Sequence, residues 1–330
     1  MIRALPDLLS TSLFSRGTSD LRNNLDRAAI EAVTGKQSDL TAAAAGQNGQ
    51  VHRAQMAVDQ SQATQTRLAL TAGRYTSAAA AYEAVRKGTE NVGVDALQAA
   101  TSGDRAGIVA TANTAESTLG LVFGALNTRF DGRSLFAGDA ASNPSLSNLD
   151  TLLADMDAIA TGSGTTADKL AAVDAYFAPG GTFDTSIYTG GTGEAAPVVL
   201  PDGTELPPIE NANSDAFRDM MKGLAITAQA YKLPPVDYVD WVRQGADLIR
   251  SAQDELVVSE AALGDTVNRI EDAVETENDQ LRLAAETLDR IIGRDAFESA
   301  SEVQDFEARL QAAYTLTSRL GQLSLTNYLR

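Results

Sequence analysis

The stretch that decides the fold is Tyr238–Ile292, YVDWVRQGADLIRSAQDELVVSEAALGDTVNRIEDAVETENDQLRLAAETLDRII. Its second half places apolar residues at alternating steps of four and three, a heptad seam that only Glu277 interrupts. No proline follows Pro235, so the pattern predicts one continuous helix of about 80 Å, at 1.5 Å per residue. Because a small globular core cannot bury such a helix, the rest of the chain must supply helices to lie beside it. The seam positions are Leu263, Val267, Ile270, Val274, Leu281, Ala284, Leu288 and Ile291.

The two ends of the chain supply such helices. A second apolar stripe runs from Val303 to Leu323 at helical spacing. Near the other end, Leu21 and Leu25 begin a stripe in a helix predicted over 18–34, with Ser19 or Asp20 as its N-cap. Further helices are predicted over 50–85 and 104–127, separated by a break around 87–93 and ended by a tight Asp131-Gly132 turn.

The middle of the chain, residues 139–213, differs in composition because it holds most of the glycines and prolines. Its patterns predict two short helices, one strand and one hairpin around Asp202-Gly203, followed by a return to helix. The fold class expected is therefore mainly α: an elongated antiparallel helical bundle or coiled coil built from both chain ends, with a small mixed α/β insertion. The predicted elements are helices at 147–160, 166–177 and 215–231, a strand at 183–188, and hairpin strands at 197–200 and 204–209.

Composition excludes several classes of function. The net charge of −18 argues against a nucleic-acid partner, and no run of about 18 apolar residues offers a membrane span. The chain has no cysteine and one histidine, His52, so a catalytic base, a metal site or a cofactor site is not expected. The glycine-rich run 189–193 lacks the lysine of a phosphate-binding loop and is predicted to be a surface loop. We expect no enzyme.

Two segments, FDGRSLFAG at Phe130–Gly138 and RLGQLSLTNYL at Arg319–Leu329, resemble the hook-associated protein 3 family, the flagellar hook–filament junction proteins within the flagellin family. Phe130–Gly138, FDGRSLFAG, matches the family pattern D-G-x-x-[LF]-F-[AG]-G that ends the N-terminal helices. Arg319–Leu329, RLGQLSLTNYL, is similar to the leucine-rich family C-terminus, and Thr34-Gly35-Lys36 resembles a family turn. Residues 37–41 depart from the serine/aspartate-rich turn that normally follows.

The resemblance implies a structural adaptor between the hook and the flagellin filament. It implies three regions: a terminal coiled-coil core (1–35 and 295–330), a helical rod domain (36–138 and 214–294) and an outer insertion domain (139–213). Implied partners are further copies of the chain in a ring, flagellin, the hook-side junction protein, and a cytoplasmic export chaperone at the C-terminal helix. The implied location is the extracellular flagellum, reached through type III export without a cleaved signal peptide.

The apolar termini are predicted to form the assembly interface, because a long apolar helix at a chain end is hard to cover within one subunit. Two alternatives remain. Flagellin itself is one, although its D-D-A-A-G-L-A-type run is missing here, and an unrelated secreted coiled-coil scaffold is the other. The predicted interface residues are Leu8, Leu13, Phe14, Leu21, Leu25, Phe306, Leu310, Leu316, Leu320, Leu323, Leu325, Tyr328 and Leu329.

Overall fold

The computed structural model describes the backbone of residues 5–39, 48–234 and 237–328, and the side chains of residues 12–39, 49–234 and 237–319. The described chain is mainly helical, with two small antiparallel two-stranded sheets. The predicted class, a mainly α helical bundle with a small mixed insertion, is confirmed. The helices are α1 (Leu5–Thr34), α2 (Asn48–Thr89), α3 (Val92–Ser102), α4 (Arg105–Leu126), α5 (Leu149–Thr161), α6 (Thr166–Phe177), α7 (Asp215–Ala228), α8 (Tyr238–Ile292) and α9 (Ala296–Tyr328), and the strands are β1 (Arg129–Phe130), β2 (Arg133–Ser134), β3 (Val198–Val199) and β4 (Glu205–Leu206).

The chain forms two compact units. The terminal unit is Met1–Ala63 with Glu277–Arg330, and the larger unit is Thr64–Thr276. The three-region division predicted from the family resemblance is finer than this and stays a prediction.

Helix α8 runs from Tyr238 to Ile292, with the predicted bounds. Its heptad seam is buried or half-buried at every position, and Ile270 is fully buried. Glu277, the one polar residue of the seam, is also buried, with 4% of its surface exposed. The heptad period therefore continues through Glu277, because every position of the seam lies on the buried side of the helix.

The larger unit is built around α7, which packs on α4. Met220, Met221 and Leu224 of α7 are fully buried. Glycines allow α7 to approach α8 closely: a Cβ on Gly223 would lie 2.7 Å from the carbonyl oxygen of Gly245.

The indole of Trp241, the first aromatic residue after Tyr238 on α8, donates to the Ile226 carbonyl at 2.6 Å. The bond satisfies the buried N–H of the only tryptophan in the chain.

The strand predicted over 183–188 is wrong, since the segment forms a π-helical turn, Phe183–Ile187. Phe183 and Ile187 are both fully buried, one helical turn apart, and the Phe183 ring stacks on Phe177 with centroids 5.1 Å apart. Packing of these two side chains outweighs the β-propensity of the segment. The hairpin predicted around Asp202-Gly203 is confirmed, with shorter strands, β3 and β4.

Two helix predictions need correction. Helix α1 begins at Leu5 and runs through Ser19 and Asp20, so neither residue caps it. Helix α3 is absent from the sequence predictions, which place a break around 87–93 and the next helix from 104. Gly93, in its first turn, lies against α8, where a Cβ would meet the backbone of Ala246 at 3.4 Å, so it serves close helix packing.

In the terminal unit, α1 and α9 pack against each other. Arg22 of α1 donates to the Tyr314 hydroxyl of α9 at 2.8 Å, and Glu31 pairs with Arg294 just before α9. Because the residue numbers change in opposite directions, the two helices are antiparallel, as predicted for the chain ends. The same unit contains a small apolar cluster of Val51, Ala54, Val58, Leu288 and Ile292.

Candidate assembly interface

The antiparallel pair of α1 and α9 carries the residues predicted to join copies of the chain. Leu21 and Leu25 of α1 and Phe306 and Leu310 of α9 are half-buried, and Ala28, one turn beyond Leu25, is buried. Two helices alone can bury one stripe each and leave the remaining surface open. These four predicted residues therefore belong to the seam within the pair, at least in part.

Other predicted residues are exposed to solvent. Leu13 is 63% exposed, Phe14 41% and Leu316 53%. An apolar side chain in water gains about 25 cal/mol for each Å² that a partner covers. Side chains of Leu8, Leu320, Leu323, Leu325, Tyr328 and Leu329 lie outside the described residues.

Sequence reasoning missed three exposed apolar residues of the pair, two of which, Val33 and Phe297, are more exposed than any predicted residue whose side chain the structure describes. Val33 at the end of α1 is 88% exposed, Phe297 at the start of α9 is 81% exposed, and Ile30 is 55% exposed. Ile30 and Val33 lie three residues apart, off the predicted Leu21–Leu25 stripe, so a second helical stripe on α1 was the available signal. The exposed apolar surface thus continues to the end of the pair where α1 stops and α9 starts.

An ionic cluster around one buried carboxylate joins the two helices at that end, and we call Glu31, Ser38, Arg294 and Glu302 the terminal clasp. Glu31, 3% exposed, accepts from the Ser38 amide and hydroxyl, both at 2.9 Å, and pairs with the Arg294 guanidinium. The guanidinium reaches Glu302 Oε1 at 2.5 Å with its other nitrogen. The carboxylate of Glu31 is therefore buried with its charge compensated.

The electrostatics of the clasp favour the ionised form of Glu31. Burial raises the pKa of this carboxyl, but hydrogen bonds from Ser38 and the charge and hydrogen bond of Arg294 outweigh it, so the pKa lies below its ordinary value. For Arg294, burial lowers the pKa of the guanidinium, but the carboxylates of Glu31 and Glu302 raise it by more, so the pKa lies above its ordinary value. Both partners stay charged at neutral pH.

Backbone hydrogen bonds complete the clasp and explain the Thr34-Gly35-Lys36 turn. Gly35 adopts φ +65°, a left-handed conformation that ends α1 with its amide on the Glu31 carbonyl at 2.8 Å. Its own carbonyl accepts from the Arg294 amide at 2.9 Å, and the Gln37 amide donates to the Ile292 carbonyl at 2.8 Å. The turn after α1 is thereby tied to the junction of α8 and α9.

The segment Phe130–Gly138 lies in the larger unit and packs into its core. Asp131 and Gly132, at φ +50° and +74°, form the turn of the β1–β2 hairpin, as Asp-Gly predicts. Phe136 is fully buried, with its ring centroid 5.9 Å from that of Tyr82. Its role here is internal packing.

The glycine-rich run 189–193 packs against the same segment. The Gly191 amide donates to the Ala137 carbonyl at 2.9 Å, and a Cβ on Gly191 would overlap the Asp139 carboxylate. Gly138, at φ +57°, leaves no room for a Cβ beside the Gly193 carbonyl. The glycines permit close backbone approach, so the surface-loop prediction missed their structural role.

Within the described residues, no group of three His, Asp or Glu side chains is arranged to hold a metal ion. His52 is exposed on α2. The helices searched in that part of the chain include none long and apolar enough to span a bilayer.

The fold is similar to that of the crystal structure of Bacillus cereus FlgL. The match has a TM-score of 0.51 at 16% sequence identity, and it covers 73% of this chain and 99% of the FlgL chain. No protein-family model and no curated protein sequence matches this chain. At this identity the comparison shows a shared fold.

Proposed function

We propose that this chain is a structural subunit of the bacterial flagellum that forms an adaptor ring between the hook and the flagellin filament. The observation that carries the proposal is an antiparallel pair of terminal helices with exposed apolar side chains, in a fold similar to FlgL, a hook-associated protein 3. The motifs FDGRSLFAG and RLGQLSLTNYL support the same family from the sequence.

In this proposal the terminal pair joins each copy to its neighbours. The interface comprises the predicted residues of α1 and α9, together with the exposed Ile30, Val33 and Phe297. Partners are further copies of the chain, the hook-side junction protein on one side of the ring and flagellin on the other.

The proposal includes the route and the layout. The subunit is exported to the cell surface by the type III pathway, with a chaperone covering the C-terminal helix beforehand. The terminal regions (1–35 and 295–330) form the inner core, residues 36–138 and 214–294 the rod, and residues 139–213 the outer domain. The function is structural and not catalytic.

The test is an in-frame deletion of the gene, with electron microscopy of the cells and an assay for flagellin in the medium. We expect hooks without filaments and unpolymerised flagellin in the medium, both reversed by the wild-type gene on a plasmid. Normal filaments in the deletion strain would contradict the proposal. Hooks without flagellin anywhere would indicate that the chain is flagellin itself.

A further inference from the structure

The sequence contains a single Asn-Gly pair, Asn48-Gly49, and helix α2 begins with it. None of the other twelve asparagines is followed by glycine. An asparagine in this setting can lose its side-chain amide without an enzyme, because glycine has no Cβ to hinder attack of its backbone nitrogen on the asparagine side chain. The sequence therefore concentrates this reactivity at one position of the terminal unit.

The backbone at Gly49 is open to this reaction. Gly49 and Gln50 are exposed, and among the described residues only the Arg53 guanidinium, at 3.6 Å, comes within 4 Å of a Cβ placed on Gly49. As the second residue of α2, Gly49 has a backbone N–H with no acceptor four residues earlier in the helix. The nitrogen that must attack is therefore exposed and is not held by a helical hydrogen bond.

Asn213, which precedes a serine in the larger unit, shows the opposite situation. The Ser214 amide donates to the Asn211 carbonyl at 3.0 Å, and the Asn213 carbonyl accepts from the Arg218 guanidinium at 2.7 Å. These bonds hold the backbone on both sides of Asn213, so the Ser214 nitrogen cannot approach the Asn213 side chain without breaking them. Asn213 therefore serves as a reference within the same chain.

We propose that Asn48 is a site of spontaneous deamidation. The Gly49 nitrogen loses its proton and forms a bond to Asn48 Cγ, while the side-chain NH2 group takes up a proton and leaves as ammonia. The product is a five-membered succinimide ring. Water then opens the ring at one of its two carbonyls and leaves aspartate or isoaspartate at position 48. The whole reaction consumes one water and releases one ammonia, with no other reactant.

The conversion places a negative charge where α2 has none. The first turn of α2 contains no acidic residue, and the unpaired N–H groups at a helix start favour an anion. The same part of α2 contributes Val51, Ala54 and Val58 to the apolar cluster of the terminal unit. An aspartate at position 48 therefore stabilises this part of the unit after synthesis, whereas isoaspartate adds a backbone atom and cannot continue the helix.

Mass spectrometry of the purified full-length protein, kept at neutral pH and about 37 °C for several weeks, tests the site. Trypsin releases Asn48 in the peptide 37–53, and deamidation raises the mass of that peptide by about 1 Da. We expect Asn48 to convert at least about ten times faster than Asn213. A sample digested at the start corrects for conversion during digestion. Equal rates, or an unchanged mass of peptide 37–53, would overturn the inference.

Substitution of the attacking residue tests the ring mechanism. Gly49→Ala should slow the conversion of Asn48 about tenfold in the folded protein and in concentrated urea alike, because the added methyl group hinders attack with or without the helix. The matched control, Gln50→Ala, should leave the rate unchanged. A Gly49→Ala protein that converts as fast as the natural chain would overturn the mechanism.

A charged and a neutral replacement of Asn48 test the consequence for stability. Asn48→Asp should raise the protection from hydrogen exchange of the backbone amides of residues 51–58 several-fold over Asn48→Gln, which has no charge. Equal or lower protection in the Asn48→Asp protein would overturn the stabilising effect of the conversion.

Discussion

At the scale of single residues, glycines and one glutamate have the strongest consequences. Gly138 and Gly191 allow the FDGRSLFAG segment and the glycine-rich run to touch through their backbones. Glu31 joins the turn after α1 to Arg294 at the start of α9. Each case depends on one atom or one charge, so a single substitution tests it.

Gly138→Ala is expected to destabilise the larger unit by roughly 2–4 kcal/mol, because the new Cβ meets a left-handed backbone and the Gly193 carbonyl together. Urea unfolding followed by fluorescence of Trp241, which is buried in the same unit, measures the change. The matched control is Gly132→Ala, with φ +74° and no atom near the added Cβ, for which about 1 kcal/mol is expected. Equal effects would show that overlap with Gly193 contributes nothing.

The clasp should make the terminal unit sensitive to acid. The folded-state pKa of Glu31 is lowered, so its stabilisation is complete above the pKa of the unfolded chain, about 4.3, and is lost as the pH falls through the folded value. Glu31→Gln should cost about 1–3 kcal/mol at pH 7 and remove this acid dependence. Hydrogen exchange of the backbone amides of residues 12–34 and 296–319 measures both the loss of stability and its dependence on pH.

Glu83→Gln serves as the control for that experiment. Glu83 also has a lowered pKa, because of a hydrogen bond and the charge of Lys87, but it lies on the exposed surface of α2. Its replacement should leave exchange of the terminal helices unchanged. If the Glu31→Gln protein keeps wild-type protection from hydrogen exchange in α1 and α9, the clasp does not stabilise the pair.

At the scale of elements, the long helices could be predicted from sequence and the short elements only in part. The α8 heptads set its bounds, because a period sustained over many turns has no other explanation. The turn Phe183–Ile187 could not be predicted, since the stacking of Phe183 on Phe177, at the end of the preceding helix, leaves no periodic signal in the segment itself. The same holds for Gly93, whose packing against Ala246 of α8 is not visible in its own segment.

Helix crossing at Gly223 gives a prediction with opposite signs for two glycines. Gly223→Ala should destabilise the larger unit by about 2–4 kcal/mol, because the Cβ would press on Gly245 and Ile249 of α8. Gly264→Ala, inside α8 with no atom within 4 Å of the added Cβ, should stabilise it by about 0.5–1 kcal/mol. Thermal unfolding measures the change in stability of both variants. A stabilising effect of Gly223→Ala would contradict the close crossing of α7 and α8 at this glycine.

The terminal helices give a prediction that separates folding from assembly. Leu316 is 53% exposed, so Leu316→Ser should change the free energy of unfolding by less than about 0.5 kcal/mol and still abolish filament restoration in the deletion strain. Leu310→Ser, at a half-buried position, should lower both the free energy of unfolding and the restoration of filaments. Leu283→Ser, on the exposed side of α8 with 57% exposure, should lower neither the free energy of unfolding nor the restoration of filaments. Full restoration by Leu316→Ser would remove that residue from the interface.

At the scale of the whole molecule, sequence reasoning reached the architecture, and the assembly interface stays a prediction. Apolar periodicity predicted α9 and the second half of α1, and it predicted their antiparallel pairing, because both chain ends carry helical apolar stripes. It did not reveal the clasp, whose members Glu31 and Arg294 are ordinary charged residues until the fold brings them together. Charged residues that pair across such a separation leave no periodic signal.

The pairing of Arg22 with Tyr314 has a consequence for the timing of assembly. These residues are 292 positions apart, so the terminal pair closes a loop that encloses nearly all the described chain, and closing such a loop costs more conformational entropy than forming local contacts. The larger unit needs neither segment for its own core. A chain in which either terminal helix has not yet folded therefore carries no finished pair. In the proposed assembly, the joining surface is therefore complete only on a copy in which α1 and α9 have both folded.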